Sequence, residues 1–283
     1  MRGVVVTVLV TGGRGHVARA VVDRLLAVGQ KVRVASRKPE EAVLPAGVEV
    51  VKADLSDPDT LPGLLDGVSK VFLYADPKGI DGFVAAAEVS GSPHIVVLSA
   101  SGVEEGDPAT DPIVRMHRAA ESALRASRLS WTFLRPGTFS TNTLQWAHAI
   151  RGTRVVKAPF PNAHASAIHE SDIADIAVLA MTEPGHEGKA YPLSGPESVT
   201  QREQVECISE AIGRKVVLEE ITAEEYRDAL GRWGDAEVVD TLVRHLVEAD
   251  GRPAPVLTTY QDLTGEPGRT YADWTADHAD DFR

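Results

Sequence analysis

Short apolar runs alternate with stretches of helical spacing through the first half of the chain. Val4–Val10 is β-branched throughout most of its length and reads as a buried strand. Val17, Val21, Leu25 and Val28 then recur near a 3.6-residue period, and Gly29 offers a helix stop. Lys31–Ala35 and Val48–Lys52 predict a second and a third strand, and Ser-Asp-Pro at 56–58 opens a predicted helix over Ser56–Leu65. Lys70–Tyr74 is a fourth strand, Gly82–Ser90 a helix, His94–Leu98 a fifth strand, Ile113–Ser127 a helix and Trp131–Leu134 a sixth strand. Strands apolar on both faces, each followed by a helix, imply a parallel sheet covered on both sides.

Past Pro136 the pattern is less regular. Ile168-His169-Glu170-Ser171-Asp172 leads into a helix over Ile173–Leu179, and Ala190–Leu193 resembles a strand. Thr200-Gln201-Arg202-Glu203 is a capping box opening a helix that ends near Gly213. Val216–Glu220 is a further strand, and the remainder is helical and polar, with Trp233 and Trp274 as large apolar exceptions. No repeat, low-complexity tract or strong linker interrupts the chain. The expectation is an α/β core over residues 1–150 and a smaller C-terminal α/β lobe over 151–283, some of whose strands and helices return to the core.

The formal charge of -12 disfavours direct nucleic-acid binding, because an acidic surface repels phosphate backbones. The single cysteine, Cys207, excludes an intrachain disulfide and fits a reducing, cytoplasmic setting. Lying between Val205 and Ile208 on a predicted helix, it reads as packing rather than as a nucleophile. No apolar run approaches the ~20 residues that span a bilayer. The apolar run at the N-terminus lacks a small-residue cleavage site and continues into Gly12-Gly13, so it reads as a strand and not as a signal segment. The histidines show no metal-ligand spacing, and His169, near Asp172, reads as part of a helix entry. The expected partner is a small molecule, with neither nucleic acid nor membrane, for a monomer or homodimer.

The first strand ends in Thr11-Gly12-Gly13-Arg14-Gly15-His16-Val17-Ala18. Both Gly13-x-Gly15-x-x-Ala18 and Gly12-x-x-Gly15-x-x-Ala18 fit dinucleotide-binding turns. Glycines allow a tight turn and a close approach of backbone N–H groups to a pyrophosphate, and a small third residue lets helix and strand pack. The strand before and the helix after supply the context such a pattern needs. The expected core is therefore a Rossmann-type, doubly wound parallel sheet. The second strand ends in Ala35-Ser36-Arg37-Lys38, where an NAD-selective site wants a carboxylate about 20 residues past the turn. No acid occurs there before Glu40, so Arg37 and Lys38 are expected to meet a 2′-phosphate and the cofactor to be NADP(H). Asp54, followed by Leu55 at the end of the third strand, either accepts from an adenine amino group or serves as a turn or cap residue.

These residues resemble the NmrA-like, atypical branch of the short-chain dehydrogenase/reductases, which includes quinone reductases. The resemblance runs in order along nearly the whole chain. It takes in Val32-Arg33-Val34-Ala35-Ser36-Arg37, Ala53-Asp54-Leu55-Ser56-Asp57, His117-Arg118-Ala119-Ala120-Glu121 and Thr132-Phe133-Leu134-Arg135-Pro136-Gly137. It continues through Asp172-Ile173-Ala174, Leu193-Ser194-Gly195-Pro196-Glu197 and Leu263-Thr264-Gly265. It implies a Rossmann core, a substrate lobe and a cleft between them. It also implies that Gly12, Gly13, Arg14, Gly15, His16 and Val17 line the pyrophosphate. Tyr74, Ala75 and Asp76 would run beside the adenine-side ribose, with Ser99 and Ala100 near the nicotinamide half. Pro136, Gly137 and Phe139 would lie near nicotinamide and substrate.

One departure bears on the chemistry. Where typical short-chain dehydrogenases carry Tyr-x-x-x-Lys, a pair that NmrA-like members commonly lack, aligning from Ser99 puts Ile113 in the tyrosine slot and His117 in the lysine slot. Isoleucine donates no proton. On the helical projection His117 and Glu121 fall beside each other at the edge of the apolar arc. They form either a structural pair or a site pair in which Glu121 orients His117 as ribose ligand or proton relay. Phe139, Asn142 and Trp146 are candidates for a flat substrate pocket or, as aromatic stripes often are, for core. The expected function is NADPH-dependent hydride transfer to a small acceptor such as a quinone or conjugated carbonyl. Two alternatives stand beside it, a non-catalytic NADP(H) sensor and a biosynthetic isomerase or dehydratase of the same fold.

Overall fold

The computed structural model describes residues 6–74, 78–231 and 235–283, so Ala75, Asp76 and Trp233 fall outside the described residues. The first half runs β1 (Thr7–Val10), α1 (His16–Ala27), β2 (Lys31–Ser36), β3 (Glu49–Lys52), α2 (Leu61–Leu65), β4 (Val68–Tyr74), α3 (Ile80–Val89), β5 (His94–Leu98), α4 (Pro112–Ala126) and β6 (Trp131–Pro136). There follow α5 (Ala147–Thr153), β7 (Val155–Ala158), β8 (His164–Ala165), α6 (Glu170–Thr182), β9 (Lys189–Leu193), β10 (Val199–Thr200), α7 (Gln201–Ile212) and β11 (Val217–Glu220). The chain closes with α8 (Ala223–Gly231), α9 (Ala236–Ala249), α10 (Thr259–Thr264), α11 (Tyr271–Asp277) and α12 (Ala279–Phe282).

Most boundaries follow the sequence pattern, and the stretch from 56 to 65 differs. There a 3-10 turn at Pro58–Thr60 precedes the short α2, because prolines stand at the start of each and suit first turns rather than helix interiors. The capping box at Thr200 forms as expected, and Gly213 ends α7 with φ +64°.

Seven strands form one sheet in the order β3-β2-β1-β4-β5-β6-β9. The pairs β1–β2, β2–β3, β1–β4, β4–β5 and β5–β6 are parallel. Strand order reverses between β1 and β4, as in doubly wound nucleotide-binding sheets. Val8, Leu9, Val71, Phe72, Ile95 and Val96 are fully buried, which is why these strands read as unbroken apolar runs.

Contacts divide the chain into two compact units. The first holds residues 1–106, 114–136 and 170–192, and so the sheet with α1, α2, α3, most of α4 and α6. The second holds residues 107–113, 137–169 and 193–283. It carries two small ladders, β8–β10 antiparallel and β7–β11 parallel. Its core gathers Trp146, Ile150, Val156, Ile208, Trp274 and Phe282.

Candidate functional site

The C-terminal ends of β1, β2 and β4, with the residues just after β3, enclose a cavity of about 1050 Å³ in the first unit. It lies at the reversal of strand order, where open α/β sheets bind ligands. Nine residues singled out from the sequence line it: Gly12, Gly13, Arg14, Gly15, Arg37, Lys38, Asp54, Leu55 and Tyr74. Buried Thr11 ties the floor together, its hydroxyl accepting from the Tyr74 N–H at 2.7 Å.

The three glycines of the turn have different reasons to be glycine. Gly12 has φ +68°. A Cβ on Gly13 would stand 2.5 Å from Val34 Cγ1, so β2 itself forbids a side chain there. Gly15 is extended, φ -76° and ψ 150°, and a Cβ would meet only the Gly12 carbonyl oxygen at 3.4 Å. The fold therefore requires Gly12 and Gly13 but leaves Gly15 unexplained. Glycine at such a position is what a dinucleotide-binding turn needs for close approach of a ligand to the backbone. The α1 helix begins beside it with no side-chain cap and no acid in its first turn, which leaves its positive end for an anion. Ala18 is 4% exposed, consistent with close packing of α1 on the sheet. Val17 is buried in α1, and neither it nor His16 lines the cavity.

Charge around the cavity is mixed. Arg14, Arg19, Arg37 and Lys38 face Glu41 and Asp54 across its lining. Asp54 accepts from Ser56 N at 2.9 Å and Ser56 Oγ at 2.7 Å, so of its two readings the turn role is the one in place. Those bonds, with help from the Arg37 charge, hold its carboxyl below the usual range. Lys38 donates to Glu41 at 2.7 Å, a pairing the sequence did not announce. Arg37 makes no hydrogen bond to a carboxylate among the described residues. Arg19 was missed, although it stands one turn beyond Gly15, to whose carbonyl its N–H bonds at 3.0 Å. Ala42, Val43 and Leu44 also line the cavity from a loop whose sequence carries no signal.

A second polar cluster stands at the ends of β5 and β6. Glu121, 2% exposed, accepts from Ser99 Oγ at 2.7 Å and from Arg135 at 2.9 and 2.6 Å. The bidentate Glu121 bond raises the Arg135 pKa, and Arg135 in turn holds the exposed Glu104 carboxyl low at 2.9 Å. This corrects the expectation that Glu121 orients His117: the carboxylate is taken by Arg135 and Ser99. His117 is itself buried, and burial lowers its pKa against the opposing Glu121 charge. The clue was present, because Arg135 ends an apolar strand and a buried guanidinium needs a partner.

Ala100 follows Ser99, and Pro136 is buried with its carbonyl accepting from Ser101 N at 2.8 Å. In the second unit Gly137 N bonds Leu193 O at 3.1 Å, Phe139 bridges to Ile168, and Asn142 is exposed. Trp146 is 7% exposed within that unit's apolar cluster, a core position that displaces the pocket reading. Cys207 is partly buried, and burial raises its thiol pKa. Among the described residues no helix is long and apolar enough to cross a membrane.

The NAD(P)H-binding family matches residues 12–184. Over 280 residues the chain is 42% identical to a (4-alkanoyl-5-oxo-2,5-dihydrofuran-3-yl)methyl phosphate reductase of Streptomyces griseus, covering 97% of this chain and 99% of the relative. An NAD(P)H azoreductase of Xenophilus azovorans is 33% identical over 285 residues, with 97% and 99% covered. Among solved structures, an NADPH-dependent quinone oxidoreductase of Escherichia coli aligns with a TM-score of 0.79 at 25% identity, covering 96% of this chain and 99% of that one.

Proposed function

This chain belongs to the NAD(P)H-binding family, and from that premise we propose that it is an NADPH-dependent oxidoreductase reducing small conjugated organic acceptors. The observation that carries the reading is the glycine turn at the sheet's reversal point, with Gly15 free of any structural need and Arg37 lining the same cavity. The backbone of 12–15 and the start of α1 hold the pyrophosphate, and Arg37 holds the 2′-phosphate. When bound, the nicotinamide supplies hydride.

The acceptor class follows from what the chain lacks. Counting from Ser99, Ile113 falls where typical short-chain dehydrogenases carry their tyrosine proton donor. A plain ketone builds localised alkoxide charge and needs a placed acid. Quinones, azo compounds and acyl butenolides spread the incoming electron pair over a conjugated system, and water can deliver the proton. The names of the two relatives and the structural neighbour fall in that class. A phosphorylated 4-acyl butenolide is the first substrate to try, given the 42% identity over nearly the full chain. His117, buried in α4 with its pKa lowered by that burial, is the candidate ribose ligand or proton relay. A cytoplasmic setting fits the single cysteine.

Calorimetric titration with NADPH and NADH tests the cofactor assignment. Losing a charge-assisted phosphate contact costs ~1.5–3 kcal/mol, so Arg37→Ala should weaken NADPH about tenfold or more and leave NADH nearly unchanged. Equal affinities for the two in the parent protein would contradict it.

A further inference from the structure

The 3-10 turn at Pro39–Glu41 folds the chain back directly after β2, with Glu41 N bonded to Lys38 O at 3.1 Å. It returns a carboxylate to a place where the linear sequence shows none. Glu41 Oε1 lies 2.7 Å from Lys38 Nζ, and both residues line the cavity beside Arg37. Both side chains are at least half exposed. An exposed pair of this kind contributes little to stability, so the fold does not depend on it. Its effect falls on the cavity: Glu41 neutralises one of the two cations expected to meet a 2′-phosphate. Asp54 lines the same cavity, where the Arg37 charge helps to lower its pKa. Two cations and two carboxylates, Arg37, Lys38, Glu41 and Asp54, are thus among the lining residues.

We propose that Glu41 is a specificity-determining residue that lowers the enzyme's preference for NADPH over NADH by holding Lys38 and repelling the 2′-phosphate. The proposal rests on the dinucleotide reading of the cavity. With Glu41 in place Arg37 alone carries the discrimination, and NADH, whose ribose presents hydroxyls and not a dianion, is left a usable ligand. A carboxylate can accept from those hydroxyls.

The test is calorimetric titration of NADPH and NADH against the parent, Glu41→Gln and Glu40→Gln. Glu40 stands one residue away in the same turn but does not line the cavity, so its variant removes an equal charge from the general field. Glu41→Gln should raise the NADH-to-NADPH ratio of Kd by about fivefold, chiefly through tighter NADPH, while Glu40→Gln moves it less than about twofold. The gain should shrink in high salt, because exposed charges are screened. An unchanged ratio in Glu41→Gln, or an equal rise in both variants, would overturn the proposal. A parent protein that binds neither nucleotide would instead remove the reading beneath it, and melting curves of both variants establish that the fold persists.

Discussion

Gly13 and Gly15 stand two residues apart and should fail differently. Gly13→Ala drives a methyl into Val34 and should lower the melting temperature, an overpacking cost of about 1–3 kcal/mol. Gly15→Val enters extended backbone with space around its Cβ, so the fold should persist while NADPH binding is lost. Native melting with normal NADPH binding in Gly15→Val would move the cofactor elsewhere. His94 gives a pH signature. Burial, aided by the Lys70 charge, pushes its pKa from 6.5 to about 4, with Glu187 opposing at 3.9 Å. Above pH 6.5 it is neutral folded or unfolded and contributes no pH dependence. Between pH 6.5 and 4 the unfolded chain takes up a proton that the folded chain resists, so stability is lost as pH falls across that window. The melting temperature of His94→Gln should fall less over the same range than that of the parent; parallel curves would contradict the assignment. At this scale the sequence disclosed residues whose type is constrained locally, such as the glycines and Arg37. Glu41 and Leu44 stayed hidden because a loop's path has no periodicity to read.

Elements were legible where one face is buried and the period is therefore enforced. The α1 helix announces itself through spacing and the Gly29 stop, α7 through its capping box and Gly213, and the sheet strands through unbroken apolar runs. The spacing of α4 gave the helix but misread its boundary residues. Glu121 faces no open cleft; it turns to Arg135 on β6, and a helical projection holds no information about the strand beneath. That cross-element pair has a mechanical consequence. Glu121→Ala leaves the buried Arg135 guanidinium with only the exposed Glu104 carboxylate and should cost up to ~3–5 kcal/mol in chemical denaturation, whereas replacing Glu121 and Arg135 together by methionine should cost much less. A double variant as unstable as the single one would show that the pair does not act as a unit.

Across the whole chain, alternation of strand and helix sufficed for a doubly wound sheet, because connections of that kind have few topologies. The division into units was not readable as a single cut. Residues 107–113 and 137–169 join the second unit, and 170–192 rejoin the first. Returning elements were expected, but which segments return rests on contacts between distant parts of the chain, which local pattern does not encode. The proposed acceptor class likewise leans on the expectation that Ile113 stands where typical short-chain dehydrogenases carry an acid, combined with the kinship of the chain. The decisive measurement is loss of NADPH absorbance with matched acceptors: a phosphorylated acyl butenolide, a quinone and an azo dye against an unactivated ketone. The conjugated acceptors should show kcat/KM at least ~10²-fold above the ketone, the range a placed acid would otherwise supply. Reduction of the plain ketone as fast as the conjugated acceptors would contradict the account.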